Sequence, residues 1–215
     1  MPITPSPADV LIVVDVQYDF LPGGALAVPD GFAVIAPINA LARRFRHVVL
    51  TQDWHPPGHA SFASSHPGKA PFETTPLPYG EQILWPDHCV QGTPGAAIHE
   101  SIDIPHAALV IRKGHNRAID SYSGFVEADR KTPTGLAGYL KERGVNRVFC
   151  AGLATDFCVG WTAIDAGRSG FEAYVIEDAC RAIDAQGSLA RAWADMDAAG
   201  VRRIAAAEIT EETRR

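Results

Sequence analysis

The stretch FCAGLATDFCVG, residues 149–160, places a thiol where an apolar run passes a glycine and reaches Thr155 and Asp156, residue types that favour helix starts. A helix N-terminus presents unpaired N–H groups and the positive end of the macrodipole. There a thiol pKa can fall from about 8.5 to between roughly 3.5 and 7.5. Cys158 is therefore a candidate nucleophile with an expected acidic thiol, against the plainer reading of a small buried core residue. Asp15 and Lys113 end two other apolar runs. Each could be a turn cap or a solvated charge, but together they offer the base and the cation that a nucleophilic thiol requires. A second set combines Asp53 and His55 of TQDWH with His88 of WPDHC. Asp53 and His55 stand two apart, so an extended chain turns both to one side. Two imidazoles and a carboxylate suit Zn²⁺ or Fe²⁺, with positions left for water or substrate. His59 and His66 are expected at the surface, and Trp54 and Trp161 in packing roles.

These residues need a scaffold that brings strand ends together. Five short apolar runs, 10–16, 47–53, 108–114, 147–153 and 172–178, read as parallel strands buried on both faces, and a weaker sixth, 201–206, as an edge. Between them lie amphipathic stretches at 32–45, 134–143, 155–169 and 188–199, three of them followed by a glycine stop at Gly144, Gly170 and Gly200. The pattern is βαβ, which predicts an α/β fold: a three-layer, doubly wound sheet of about six mainly parallel strands flanked by helices. In such sheets ligands bind beyond the carboxyl ends of the strands, where Asp15, Asp53, Lys113 and Cys158 are expected. The Pro-, Gly- and His-rich region from 54 to about 105 breaks the rhythm and reads as a long functional loop insertion.

Composition narrows the partners. The 215 residues are 47% hydrophobic and 20% charged, as for a single globular domain spanning 1–215. A net charge of −6 without a basic run argues against nucleic acid and anionic membranes, leaving small molecules. No run reaches the roughly 18 apolar residues of a membrane span, and the first ten residues lack signal-peptide character. Cys89, Cys150, Cys158 and Cys180 show no disulfide or metal spacing, which fits a reducing, cytoplasmic location. Cys150 should point into sheet packing rather than resolve an oxidised Cys158.

Five motifs in order, VVDVQYDFLPGGALAV, TQDWHPPGHASFASSHPG, LPYGEQILWPDHCVQGTPGA, IRKGHNRAIDSYSGF and VFCAGLATDFCVGWTA, resemble the isochorismatase-like cysteine hydrolase superfamily and, through WPDHCVQGT, its metal-bearing nicotinamidase branch. The resemblance implies Asp15, Lys113 and Cys158 as catalytic triad and Asp53, His55 and His88 as ligands of one divalent ion, Zn²⁺ or Fe²⁺, with Mn²⁺ also compatible. It implies Ser61 as a further ligand through water. It places Phe20, Trp85, Tyr122 and Leu153 around the substrate ring. A cis Leu153–Ala154 peptide would aim the amides of Ala154 and Cys158 as an oxyanion hole. The implied activity is hydrolysis of nicotinamide, and of pyrazinamide, through a cysteine thioester, serving NAD salvage, in a monomer or homo-oligomer. The rival readings are superfamily members acting on carbamoyl or ureido compounds or on isochorismate, a non-catalytic metal or ligand binder, and a redox-sensing thiol. The metal set counts against the first of these.

Overall fold

The computed structural model describes residues 2–210. Its strands are β1 (Asp9–Val14), β2 (His47–Asp53), β3 (Thr74–Leu77), β4 (Gly80–Ile83), β5 (Leu109–Lys113), β6 (Arg147–Leu153), β7 (Glu172–Arg181) and β8 (Arg202–Ile204). The longer helices are α1 (Ile35–Ala42), α2 (Leu136–Glu142), α3 (Gly160–Arg168) and α4 (Ser188–Ala198). Six strands form one parallel sheet ordered β5-β2-β1-β6-β7-β8, with helices packed against it. β1 is buried throughout and β6 in all but its first residue, as expected for apolar strands covered on both faces. At the edge, β5 alternates, with Val110 and Arg112 exposed. β8 forms the opposite edge and is shorter than the expected 201–206.

The chain winds from β1 to β2 and β5 on one side, then crosses back to place β6 on the other side of β1. That reversal makes a crevice at the carboxyl ends of β1 and β6, where open α/β sheets bind ligands. Asp15 follows β1 and Cys158 follows β6, so the topology itself assembles the site.

Three departures from the sequence reading have physical causes. The helix expected at 155–169 begins as a wide π-type turn, Thr155–Val159, because the Ala154 carbonyl accepts from the N–H groups of both Phe157 and Val159 at 3.1 Å. β7 outruns the expected 172–178, since five of its residues advance against two of β6 between the pairs Cys150–Val175 and Gly152–Cys180. The long insertion contains the antiparallel hairpin β3–β4, whose short prolined strands carry little periodicity. Of its eight strand residues only Gln82 is buried.

Gly152 fixes the approach of β6 to the end of β1. Its φ is +128°, and a Cβ there would lie 2.1 Å from the Val14 carbonyl oxygen. Gly152→Ala is expected to destabilise the fold by about 2–4 kcal/mol, since both strain and a backbone clash arise. An unchanged thermal melting midpoint would contradict this.

Candidate active site

Lys113 ends β5 and is wholly buried. Its Nζ donates to Asp53 Oδ1 at 2.7 Å, to the Ser121 carbonyl at 2.9 Å and to Cys158 Sγ at 3.3 Å, and lies 2.9 Å from Asp15 Oδ2. One ammonium thus joins the thiol, the β1 carboxylate and the β2 carboxylate. Burial opposes its charge, yet Asp15 and then Asp53 hold its pKa well above the ordinary lysine value. Burial raises the Asp15 carboxyl against the pull of Lys113, with Asp53 adding to the rise. An aspartate so placed is a better proton carrier than a free one, whose pKa is about 3.9.

The expected acidity of Cys158 is corrected. Burial pushes its thiol well above the usual range, Lys113 opposes this, and the charges of Asp15 and Asp53 reinforce it. Its place at the start of a turn does not offset burial and the two carboxylates. With burial opposing its ionisation, the thiol needs a neighbouring base if it is to act as a nucleophile. Asp156 is not a cap either. Its carboxylate accepts from the N–H groups of Ile183 at 3.1 Å and Asp184 at 2.8 Å and from the Ser188 hydroxyl, tying the turn that carries Cys158 to the segment after β7 and to the start of α4. The Leu153–Ala154 peptide is cis.

Asp53, His55 and His88 converge as their types suggested. Their donor atoms lie within 4.8 Å of one another and all three are buried. Parallel bridges His55–Val90 and Phe62–Trp85 carry residues 85–90 back alongside 55–62, which brings His88 to the strand end. His55 Nδ1 donates to the Gly114 carbonyl at 2.9 Å and His88 Nδ1 to that of Pro86 at 2.8 Å. This leaves both Nε2 lone pairs facing Asp53 Oδ2, at 3.4 and 3.8 Å. Three electron-pair donors turned on one point, with the Gly114 and Pro86 carbonyls fixing both imidazole tautomers, fit a divalent cation.

His59 and Trp161 depart from expectation. His59 is fully buried, with its ring 4.3 Å from that of His55, and burial followed by the neighbouring His55 lowers its pKa to about 4. Its Nε2 donates to the Asn116 carbonyl at 2.9 Å, while its Nδ1 accepts the hydroxyl of buried Ser61 at 2.7 Å. His66 is half-buried and donates to the Ala60 carbonyl. Trp161 is exposed and stacks on Tyr122, whereas Trp54 packs under Arg112. Cys150 is buried in the sheet as expected.

A small cavity adjoins Cys158, Asp53 and His88 and is walled by Phe20, Trp85 and Tyr122. The Phe20 ring meets His88 edge-on at 5.4 Å, and Trp85 Nε1 donates to the Tyr122 hydroxyl at 3.1 Å. Leu153 is not in the wall, because its side chain is buried within the core. Ala154, expected as an oxyanion donor, also borders the cavity, whereas the rest of the wall, Leu26, Asp120, Phe157 and Ile183, is not identified from the sequence. Phe157 had a signal, since it adjoins Cys158 in the same turn. Leu26 and Ile183 lie on connecting segments without periodic pattern.

The cavity, the turn and the three-donor cluster can be set beside known proteins. An isochorismatase domain matches residues 9–208. The chain is 60% identical over 199 residues to the nicotinamidase of Acinetobacter baylyi, covering 93% of each protein. A solved structure described as an Acinetobacter baumannii nicotinamidase pyrazinamidase superposes with a TM-score of 0.94 at 57% identity, covering 94% of this chain and 98% of that one. The pyrazinamidase of Pyrococcus horikoshii in complex with zinc gives 0.76 at 38% identity, covering 93% and 99%. With that domain match extending from β1 past β8, and relatives of this similarity aligned along nearly their whole length, the chain belongs to the isochorismatase family.

Proposed function

We propose that the protein is a nicotinamidase, hydrolysing nicotinamide to nicotinate and ammonia, with pyrazinamide as a second substrate and NAD salvage as its setting. The observation that carries this is the position of Lys113 Nζ, 3.3 Å from the thiol and within 2.9 Å of carboxylates belonging to both residue sets. Nucleophile, base and ring anchor then act on one small molecule. The names of its close relatives support the same substrate.

An amide is a weak electrophile and ammonia a poor leaving group, so a thioester splits one hard step into two easier ones. Asp15 takes the Cys158 proton as sulfur attacks the carboxamide carbon. The Ala154 and Cys158 amides at the start of the turn receive the resulting oxyanion. Lys113 balances the charge on the carboxylates and on sulfur. Asp15 returns the proton to nitrogen as ammonia departs, then takes one from the water that opens the thioester. Phe20, Trp85 and Tyr122 enclose an uncharged aromatic ring. Asp53, His55 and His88 would hold Zn²⁺, Fe²⁺ or Mn²⁺, which when bound supplies an electrophilic anchor for the pyridine nitrogen. Ser61, its hydroxyl proton held by His59, would act on that ion's hydration through a water.

The test is ammonia release from nicotinamide by purified protein, before and after chelation and after metal is added back. Release that falls at least about tenfold on chelation and returns with Zn²⁺ or Fe²⁺ is expected, as for loss of a substrate anchor. Metal-loaded protein that ignores nicotinamide but turns over a carbamoyl or ureido compound would overturn the assignment.

A further inference from the structure

The structure assigns Thr51 a role as the positioning residue that decides which oxygen of Asp15 takes the thiol proton; this rests on the thioester reading above and deepens it. Asp15 follows β1 with φ +48°, a left-handed conformation that a non-glycine residue rarely adopts. Thr51, buried on β2, supports it twice. The Asp15 N–H donates to Thr51 Oγ1 at 3.2 Å, and the Thr51 hydroxyl donates to Asp15 Oδ1 at 2.5 Å. The two hydrogen bonds form a ring that fixes both side chain and backbone. The Thr51 methyl faces Gly124, 3.2 Å from where a Cβ on that residue would stand.

The other oxygen is left open. Lys113 has three N–H donors, and Asp53 Oδ1, the Ser121 carbonyl and Cys158 Sγ accept them. Asp15 Oδ2 is buried and lies 2.9 Å from the ammonium, with no aligned donor of its own beyond that ion pair. A carboxylate oxygen of Asp15 also lies within 4.8 Å of Cys158 Sγ. With Oδ1 occupied, the thiol proton has one acceptor. The S–H bond breaks, an O–H bond forms at Oδ2, and the released electron pair forms the S–C bond. The same proton later leaves Oδ2 for nitrogen as the C–N bond breaks. A proton on Oδ1 would instead confront the Thr51 hydroxyl and leave that hydrogen without its acceptor.

Thr51→Val keeps shape and methyl while deleting the hydroxyl. It is expected to lower kcat for ammonia release about 10- to 100-fold with KM changed less than about twofold, the range that loss of a hydrogen bond to an ionised group produces. Alkylation of Cys158 by iodoacetamide should slow in parallel. Thr51→Ser should stay within about threefold of wild type, and in an Asp15→Asn background Thr51→Val should leave the alkylation rate unchanged, because Thr51 acts through Asp15. Near-UV circular dichroism and melting establish folding; should the valine variant misfold, Thr51→Ala carries the same expectation. Unchanged kcat in Thr51→Val, equal impairment of the valine and serine variants, or a full additional loss in the Asp15→Asn background would overturn the inference. Asp15→Asn protein that turns over at the wild-type rate would instead refute the assignment of Asp15 as base, and this inference with it.

Discussion

Replacing Cys158 by alanine is expected to reduce ammonia release from nicotinamide by at least about 10⁴-fold, the scale on which loss of a nucleophile removes a covalent pathway. The fold should survive. Cys158 is a small side chain at 6% exposure, beside a cavity rather than deep in apolar packing. Binding should survive too, because the aromatic wall and the Asp53, His55 and His88 cluster are untouched. The signature is therefore loss of turnover with retained affinity, checked by steady-state ammonia assay beside calorimetric titration with nicotinamide. Mass spectrometry of a quenched reaction should show an acylated wild-type chain and an unmodified variant. Turnover by Cys158→Ala within tenfold of wild type would remove the thiol from the mechanism and shift attention to a water activated at the three-donor cluster.

Lys113→Met is expected to damage stability and activity together. Methionine fills similar space, but it leaves Asp15 and Asp53 facing one another with no cation between them. Breaking a buried ion pair by removing one partner costs about 3–5 kcal/mol. Activity should fall about 10³-fold, since charge balance at the thiol is lost along with its hydrogen bond. Denaturant unfolding followed in the chelated protein reads the first effect and ammonia release the second. A midpoint equal to wild type would mean that the carboxylates relieve their repulsion by sharing a proton, and that Lys113 is not the centre of the network.

What could be read in the sequence followed from periodicity and strand-end logic. The ranges 47–53 and 147–153 were set by buried apolar runs, which the packing of a parallel sheet requires and no other element competes for. The residues Asp15, Asp53 and Lys113 followed because polar side chains at strand ends share one rim. The hairpin was hidden because its alternation is short and interrupted by Pro76. His59 was hidden because the carbonyls that bury its Nε2, those of Asn116 and Ile119, are almost sixty residues away. The direction of the Cys158 shift was misread for a related reason. The helix terminus is visible locally, whereas the desolvation and the two carboxylates that defeat it are products of the tertiary fold. Asp156 shows the same limit, a residue type suited to capping that long-range donors claim instead.

The β3–β4 hairpin meets the pocket through one side chain, Gln82, whose amide nitrogen donates to Asp120 Oδ2 at 2.7 Å and lies 3.1 Å from the Tyr122 hydroxyl. Its other strand residues are exposed or half-buried. The constraint on this insertion is consequently uneven. Besides Gln82, Ile83 packs against the core and Thr74 borders the cleft beside Trp85 and Phe157, so the exposed Pro76 and Glu81 are the positions least tied to the site. Substitutions at those two positions leave in place the Gln82 contacts that hold Asp120 and Tyr122 at the wall of the pocket.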